Sequence, residues 1–269
     1  MTGINANHNQ KQVRVTMNKK SGWQLSGSGP DAYEKYIVPA FTRTWAKEMV
    51  KRACLRRDEK LLDAACGTGL VARIAAAEHR GDLISGVDVN DVMIKKAQEI
   101  EKTITWHHSD VTDMPFNNNC FDVILCQQGL QYFPDPNAAL KEMKRVLVKN
   151  GRIITSVWRP IEYSPFYESL CRVLEKYVGV KSAAILSAAY NLGDYGKLKT
   201  LFGNAGFTSI NISIVVKQMR CSSFDTFVLG GMMATPFFND IQEMQDAERD
   251  VFLSELYKLN EEYIDDNGL

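Results

Sequence analysis

Asp63, Gly67, Gly69 and Asp88 stand at the spacing of a nucleoside-binding strand–turn–helix–strand unit. Leu61-Leu62-Asp63-Ala64-Ala65 has the short, buried look of a central parallel strand, and Cys66-Gly67-Thr68-Gly69 supplies a turn into a helix beginning near Leu70. Glycine at 67 and 69 admits backbone conformations closed to other residues and lets a ligand lie against the main chain. About twenty residues on, a second apolar run ends in Asp88, placed to accept hydrogen bonds from ribose hydroxyls. Asp110 and Gln127 follow two further apolar runs, so the same sheet edge collects Asp63, Gly67, Asp88, Asp110 and Gln127.

The elements that must hold these residues alternate over residues 61–158. A helix is predicted at 91–102 with Val92, Met93, Ala97 and Ile100 inward, a third strand at 104–109 and a fourth at 121–126. Asp135 and Pro136 read as N-cap and first-turn proline of a helix whose inward face is Leu140, Met143, Val146 and Leu147, stopped by Asn150-Gly151 before a fifth strand at 152–158. Such alternation gives an α/β, doubly wound, mostly parallel sheet.

Around this core the patterning divides the chain into a mobile tail (1–21), an N-terminal helical cap (22–53), the cofactor-binding α/β core (54–160), a cap insertion (161–194), the remainder of the core (195–218) and a C-terminal helical cap (219–269). Tyr33, Tyr36, Ile37, Phe41, Trp45, Met49 and Val50 give the first cap one apolar helical face, which Pro39 is expected to split into two helices. Further helices are expected near 165–177, 182–190 and 195–205. Alternating Ile and Val make 207–217 a strand. The last segment, 222–264, reads as helical with Ile241, Met244, Val251, Phe252, Leu256, Leu259 and Tyr263 inward.

A chain of 269 residues with 45% hydrophobic content can bury a full core. Six cysteines without a C-x-x-C pair suggest neither zinc nor disulfides, so no metal is expected. No apolar run reaches the roughly 18 residues of a membrane helix, and the expected location is the cytoplasm. Net charge is zero, yet residues 1–60 carry 12 Lys/Arg against 5 Asp/Glu and residues 240–266 carry 2 against 10. Without a recognition motif or interleaved aromatics the basic segment does not predict nucleic-acid binding; the two ends are expected instead to pack near each other as parts of one cap.

Gly67, Gly69 and Ala72 also satisfy the G-x-G-x-x-A form of a dinucleotide fingerprint, which keeps an NAD(P)-dependent oxidoreductase open. Asp63 argues otherwise: a carboxylate beside the turn repels a pyrophosphate and suits the ammonium and sulfonium of S-adenosylmethionine. Asp110 can accept from an adenine amino group.

At these residues the chain resembles the class I S-adenosylmethionine-dependent methyltransferases. The first motif is residues 61–69; Gly86-Val87-Asp88-Val89-Asn90 with Met93 resembles the ribose-and-adenine segment, residues 109–116 the adenine-flanking stretch and residues 121–128 the fourth-strand motif. Gln127-Gln128-Gly129-Leu130-Gln131-Tyr132-Phe133, Ser156-Val157-Trp158-Arg159-Pro160 and residues 33–39 are similar to a bacterial branch related to ubiquinone and menaquinone biosynthesis methyltransferases. The resemblance implies a Rossmann-like fold and transfer of a methyl group to O, N or C of a small aromatic or hydrophobic acceptor, leaving S-adenosylhomocysteine. Cofactor contacts are implied at Asp63, Ala65, Gly67, Thr68, Gly69, Asp88, Val89, Met93, Asp110, Val111 and Gln127. Lys149-Asn150-Gly151 departs from the family's Pro-Gly-Gly, and the final antiparallel strand into which that branch usually continues past a segment like residues 265–269 is expected to be missing or supplied differently.

His107, His108, Tyr33 and Tyr36 are the visible general-base candidates, with alternation placing His108 on a buried strand face, and no catalytic residue is assigned. The expected partners are a small-molecule acceptor and, in assembly, a second copy of the chain. A non-catalytic partner-binding protein of the same fold is the remaining alternative. An arsenic-methylating reading of Cys171 and Cys221 lacks matching surroundings.

Overall fold

The structure is a computed structural model that describes residues 25–217, 221 and 223–264; the expected tail lies outside them. Gly29–Ala32 (α1), a π-helix at Tyr33–Thr42 and Arg43–Ala53 (α2) form one continuous helical rod. Pro39 does not split it in two. Lacking an N–H and pressing on the preceding turn, proline is accommodated here by winding the rod wider.

The core follows as Leu61–Ala64 (β1), Leu70–Ala76 (α3), Ile84–Asp88 (β2), Asp91–Ile100 (α4), Thr105–His108 (β3), Phe121–Gln127 (β4), Pro136–Val146 (α5) and Leu147–Ser156 (β5). Then come Pro165–Tyr177 (α6), Val180–Ala188 (α7), Tyr195–Asn204 (α8), Phe224–Met233 (α9), Phe238–Gln242 (α10) and Asp246–Leu259 (α11). The five strands are all parallel, in the order β3-β2-β1-β4-β5. Chain order reverses between β1 and β4, which opens a crevice at their carboxyl ends.

Alternate strand residues feed two separate cores. Leu61, Ile84, Val123 and Leu125 face α2, α3 and α4, whereas Leu62, Val87, Ile124 and Cys126 face α5 and α8. A third apolar core joins α6, α7, α9 and α11 and includes Phe227, Phe252 and Leu256. Ala40 and Phe41 of the π-helix pack against this cluster, which also holds Phe252 and Leu256 of α11. Among the described residues no ion pair joins residues 25–60 to residues 240–264.

Several expectations are corrected. Leu147 begins β5 rather than ending α5, because the strand bulges between its pairing with Phe121 and the pairing of Arg152 with Val123. A side chain at Gly151 would stand 2.8 Å from the Asp122 carbonyl, so the bulge needs glycine there. Residues 207–217, expected to be a strand, carry no regular secondary structure and, among the described residues, pair with no strand. Arg52 reaches Ser213 at 3.1 Å and Lys217 reaches Glu48 at 3.0 Å, while Ile214 (66% exposed) and Val216 (83%) face outward. Among the described residues the sheet therefore has no antiparallel strand. Ile100, Val251, Leu259 and Tyr263 are exposed, Ile94 taking the inward place near Ile100, because no second layer covers those helix faces.

Candidate active site

The glycine turn is built by two carboxylates from neighbouring strand ends. Asp88 Oδ2 accepts from the Gly67 N–H and its Oδ1 from the Asn90 N–H, both at 2.8 Å. Asp63 Oδ2 accepts from the Ala72 N–H at 3.0 Å and so ties the end of β1 to the first turn of α3. Asn90 then caps α4, accepting from Val92 and Met93, and its amide donates to the Leu25 carbonyl at 2.9 Å. Gly67 and Gly69 adopt φ of +55° and +80°, conformations that glycine takes without strain.

The two glycines do different work. Nothing closer than the Met93 methyl, at 4.0 Å, would meet a side chain at Gly67, which leaves the backbone open to a ligand. A side chain at Gly69 would fall 2.1 Å from the Trp106 ring, and one at Gly86 would fall 2.4 Å from it. Trp106 is thus slotted between two glycines beneath the turn, its indole N–H bound to the Glu101 carbonyl at 2.8 Å.

A cavity of about 730 Å³ opens at the switch point. Asp63, Ala65, Gly67, Asp88, Val89, Met93, Asp110, Val111 and Gln127 all line it. Thr68 and Gly69 do not. Thr68 is buried, and its hydroxyl donates to Glu34 Oε1 at 2.5 Å; the same oxygen accepts from Arg73 Nη2 at 2.5 Å. Glu34 is the residue that sequence reasoning missed. Its position beside Tyr33 on a helical rod gave a signal of helix, but none of a partner 34 residues away.

The charge distribution in the cavity is one-sided. Asp63, Asp88 and Asp110 line it, and among the described residues no Lys or Arg does. Burial pushes the Asp63 carboxyl up to about 7, with Asp88 adding to the rise. Asp88 is also raised, again by burial. Gln127 Oε1 is buried without a hydrogen-bond partner among the described residues, although its amide nitrogen reaches the Thr42 carbonyl at 3.3 Å. Two buried carboxylates and an unpaired carbonyl call for a cationic, hydrogen-bond-donating ligand and oppose a pyrophosphate. The residues therefore fit S-adenosylmethionine, whose ammonium and sulfonium supply that charge.

Asp110 Oδ1 accepts from the backbone and hydroxyl of Thr112, each at 2.8 Å, which fixes the loop after β3. Ala65 and Gln128, at the ends of β1 and β4, both take left-handed φ, of 57° and 54°. Non-glycine residues pay for that conformation, and here the pair flanks the crevice.

None of the base candidates is set up as one. Burial raises Tyr33 to about 12, so its phenol stays protonated. Tyr36 packs on Gly230 of α9. His107 is pushed down by burial, stacks edge-on against Phe116 at 4.8 Å and lies outside the cavity. His108, expected to be buried, is exposed: its strand is the sheet edge, and its ring contacts the Val89 carbonyl at 3.0 Å. Beyond Tyr33 the cavity continues into the cap between Phe41, Trp158, Tyr167, Tyr190 and Phe227.

A five-stranded parallel sheet with a carboxylate-lined glycine turn at its switch point defines a class I S-adenosylmethionine-dependent methyltransferase, and the chain belongs to that family. The family model described as a methyltransferase domain matches residues 62–155. A demethylmenaquinone methyltransferase of Staphylococcus saprophyticus is 30% identical over 186 residues, covering 63% of this chain and 79% of that protein. Among solved structures, the YcgJ protein from Bacillus subtilis superposes with a TM-score of 0.54 at 19% identity, covering 77% of this chain and 86% of that one. A phosphoethanolamine N-methyltransferase of Haemonchus contortus, solved with S-adenosylhomocysteine, gives 0.55 at 19% identity, covering 90% of this chain and 55% of that one. At those identities the two structures speak to fold alone. The protein is an S-adenosylmethionine-dependent enzyme that methylates a small molecule. Among the described residues no helix is long and apolar enough to cross a membrane.

Proposed function

We propose that this methyltransferase acts on a flat, oxygen-bearing aromatic ring of the quinol or phenol class. One observation carries the reading: a single cavity runs from the carboxylates at the switch point to an uncharged aromatic chamber in the cap. Bound at the carboxylate end, S-adenosylmethionine supplies an electrophilic methyl group. Asp63 and the Gln127 carbonyl would receive its ammonium. Asp88 has already spent one lone pair of each oxygen on the Gly67 and Asn90 N–H groups, and an ionised carboxylate keeps further acceptor sites for ribose hydroxyls. Asp110 would take the adenine amino group, with Val89, Met93 and Val111 against the base. Thr68 and Gly69 contribute through Glu34 and Trp106 rather than by touching the cofactor.

The cap rings, with Phe41 and Trp158 at 6.0 Å and Trp158 and Tyr190 at 6.5 Å, suit a flat acceptor. Holding acceptor and methyl in line can lower a barrier by roughly 7 to 11 kcal/mol, so a ring already activated by its own hydroxyl needs no strong base. The demethylmenaquinone methyltransferase relatives agree with that class. The same reading places the protein in the cytoplasm, as a homodimer without nucleic acid. Its cap comprises residues 22–53, 161–194 and 219–269, around a core of 54–160 and 195–218.

The test is production of S-adenosylhomocysteine with a panel of reduced quinones, phenols and amines. Turnover with the hydroxylated rings is expected. Turnover with amines alone would overturn the acceptor class.

A further inference from the structure

Two phenols in the aromatic chamber have hydroxyls for which the described residues supply no hydrogen-bond partner. Tyr167 lies on α6, and Tyr190 follows α7; their ring centroids are 5.9 Å apart. Each ring is fixed by aromatic neighbours. Trp158 stacks on Tyr190 at 6.5 Å and 29°, while Phe166 and Phe41 hold Tyr167 at 5.2 and 6.4 Å. Tyr190 is only 6% exposed. Yet neither hydroxyl has a hydrogen-bond partner among the described residues, and both residues line the cavity. Neither hydroxyl is among the fully buried unpaired polar atoms, so both open to the cavity, where a rigidly held O–H can donate to a ligand atom.

Neighbouring phenols connect the two to the cofactor end. Tyr33 is within electrostatic reach of Asp63, Tyr132 of Tyr33, and Tyr167 and Tyr190 of Tyr132. Burial keeps these phenols protonated well above neutral pH, so near neutrality their O–H groups are available as donors. Tyr167 and Tyr190 share the chamber with Phe41, Trp158, Phe166, Leu170, Leu186 and Phe227, and among the described residues the only carboxylates lining the cavity are Asp63, Asp88 and Asp110 at its switch-point end. The surroundings select for a neutral, flat ligand that presents an oxygen acceptor.

We propose that Tyr167 and Tyr190 form the acceptor-binding subsite, donating hydrogen bonds to a ring oxygen of the acceptor while Trp158 and Phe41 contact its faces. They are specificity-determining residues: they recognise the oxygen of a hydroxylated ring and orient the ring toward the methyl donor, and they take no proton from it. The inference rests on the acceptor reading above and sharpens it to two named donors.

The test uses the full chain saturated with S-adenosylhomocysteine and two probes, 1,4-dihydroxynaphthalene and bare naphthalene, titrated calorimetrically into wild type, Tyr167→Phe and Tyr190→Phe. Removing one donor should weaken dihydroxynaphthalene about tenfold, the worth of a single hydrogen bond, and leave naphthalene unchanged. A rearranged chamber would instead weaken both probes alike, and that result overturns the proposal, as does unchanged affinity for dihydroxynaphthalene in both variants. S-adenosylhomocysteine affinity should match wild type in both variants. If wild type fails to bind S-adenosylhomocysteine, the cofactor site itself has been misassigned and the subsite falls with it. If wild type binds it but neither probe, only the acceptor subsite falls.

Discussion

Glu34 and Thr68 are joined by a 2.5 Å hydrogen bond across the boundary between cap and core, and the same carboxylate oxygen also takes the Arg73 guanidinium at 2.5 Å. Glu34 lies 34 residues before Thr68 in the chain, yet it anchors the turn from outside. Tyr33, its neighbour, lines the cavity. The contact therefore ties the glycine turn to a helix whose preceding residue lines the cavity.

Replacing Glu34 by Ala should cost about 1 to 3 kcal/mol, the range for losing a charge-assisted bond in a partly buried site. The same change should weaken S-adenosylhomocysteine binding, since Thr68 and α3 lose their brace. Urea denaturation and calorimetry on the two proteins check both effects; a variant as stable as wild type would show that the latch holds nothing.

Cofactor binding should release a proton near neutral pH. Asp63 sits at about 7 in the folded chain, above the roughly 4 of an unfolded carboxyl. The neutral form is thus favoured in the empty site, and this group's contribution to stability is full below about pH 4 and lost as pH rises through 7. A cationic ligand favours the ionised form, so affinity should fall as pH drops below 7. Asp88, Arg73, Cys66, Cys126 and Tyr33 share its field, and burial also raises Asp88, which adds to the proton release in the same direction. Calorimetry in buffers of different ionisation enthalpy counts the protons, and Asp63→Asn should remove most of them.

Gly86→Ala places a methyl group 2.4 Å from the Trp106 ring, without the positive φ that complicates Gly69. Overpacking of this kind should destabilise by about 1 to 3 kcal/mol. Shrinking Trp106 to Leu in the same chain should recover part of the loss. Thermal unfolding of the single and double variants tests it; additive losses would place the strain elsewhere.

Gln127→Leu separates stability from binding. Its buried carbonyl has no hydrogen-bond partner among the described residues, so removing it should change stability by less than about 1 kcal/mol. Affinity for S-adenosylmethionine should fall several-fold. A variant that binds normally would show that the orphan carbonyl does not receive the ammonium.

The sequence made the sheet legible where one period dominates. Leu61–Ala64, Ile84–Asp88 and Phe121–Gln127 are mostly apolar runs bounded by polar residues or glycine, and each lies as a strand where the pattern predicts it. Leu147 misled because its helical spacing from Met143 is indistinguishable from the start of a bulged strand; the bulge depends on pairing with Phe121. Ile214 and Val216 alternate as a strand should, but a strand also needs an edge to pair with, which alternation does not reveal. Glu34 was invisible for a related reason. Its partners are fixed by how the cap folds back on the turn, and the burial that makes such a latch matter is a property of three dimensions.

The central claim is that the carboxylates of the switch point hold the cofactor, and Asp88 is its most direct handle, because it both shapes the turn through Gly67 and faces the cavity. Calorimetric titration of S-adenosylhomocysteine into wild type and Asp88→Ala decides it. Loss of at least tenfold in affinity, with the fold intact by circular dichroism, is the predicted result; equal affinity in the two proteins would contradict the site described here.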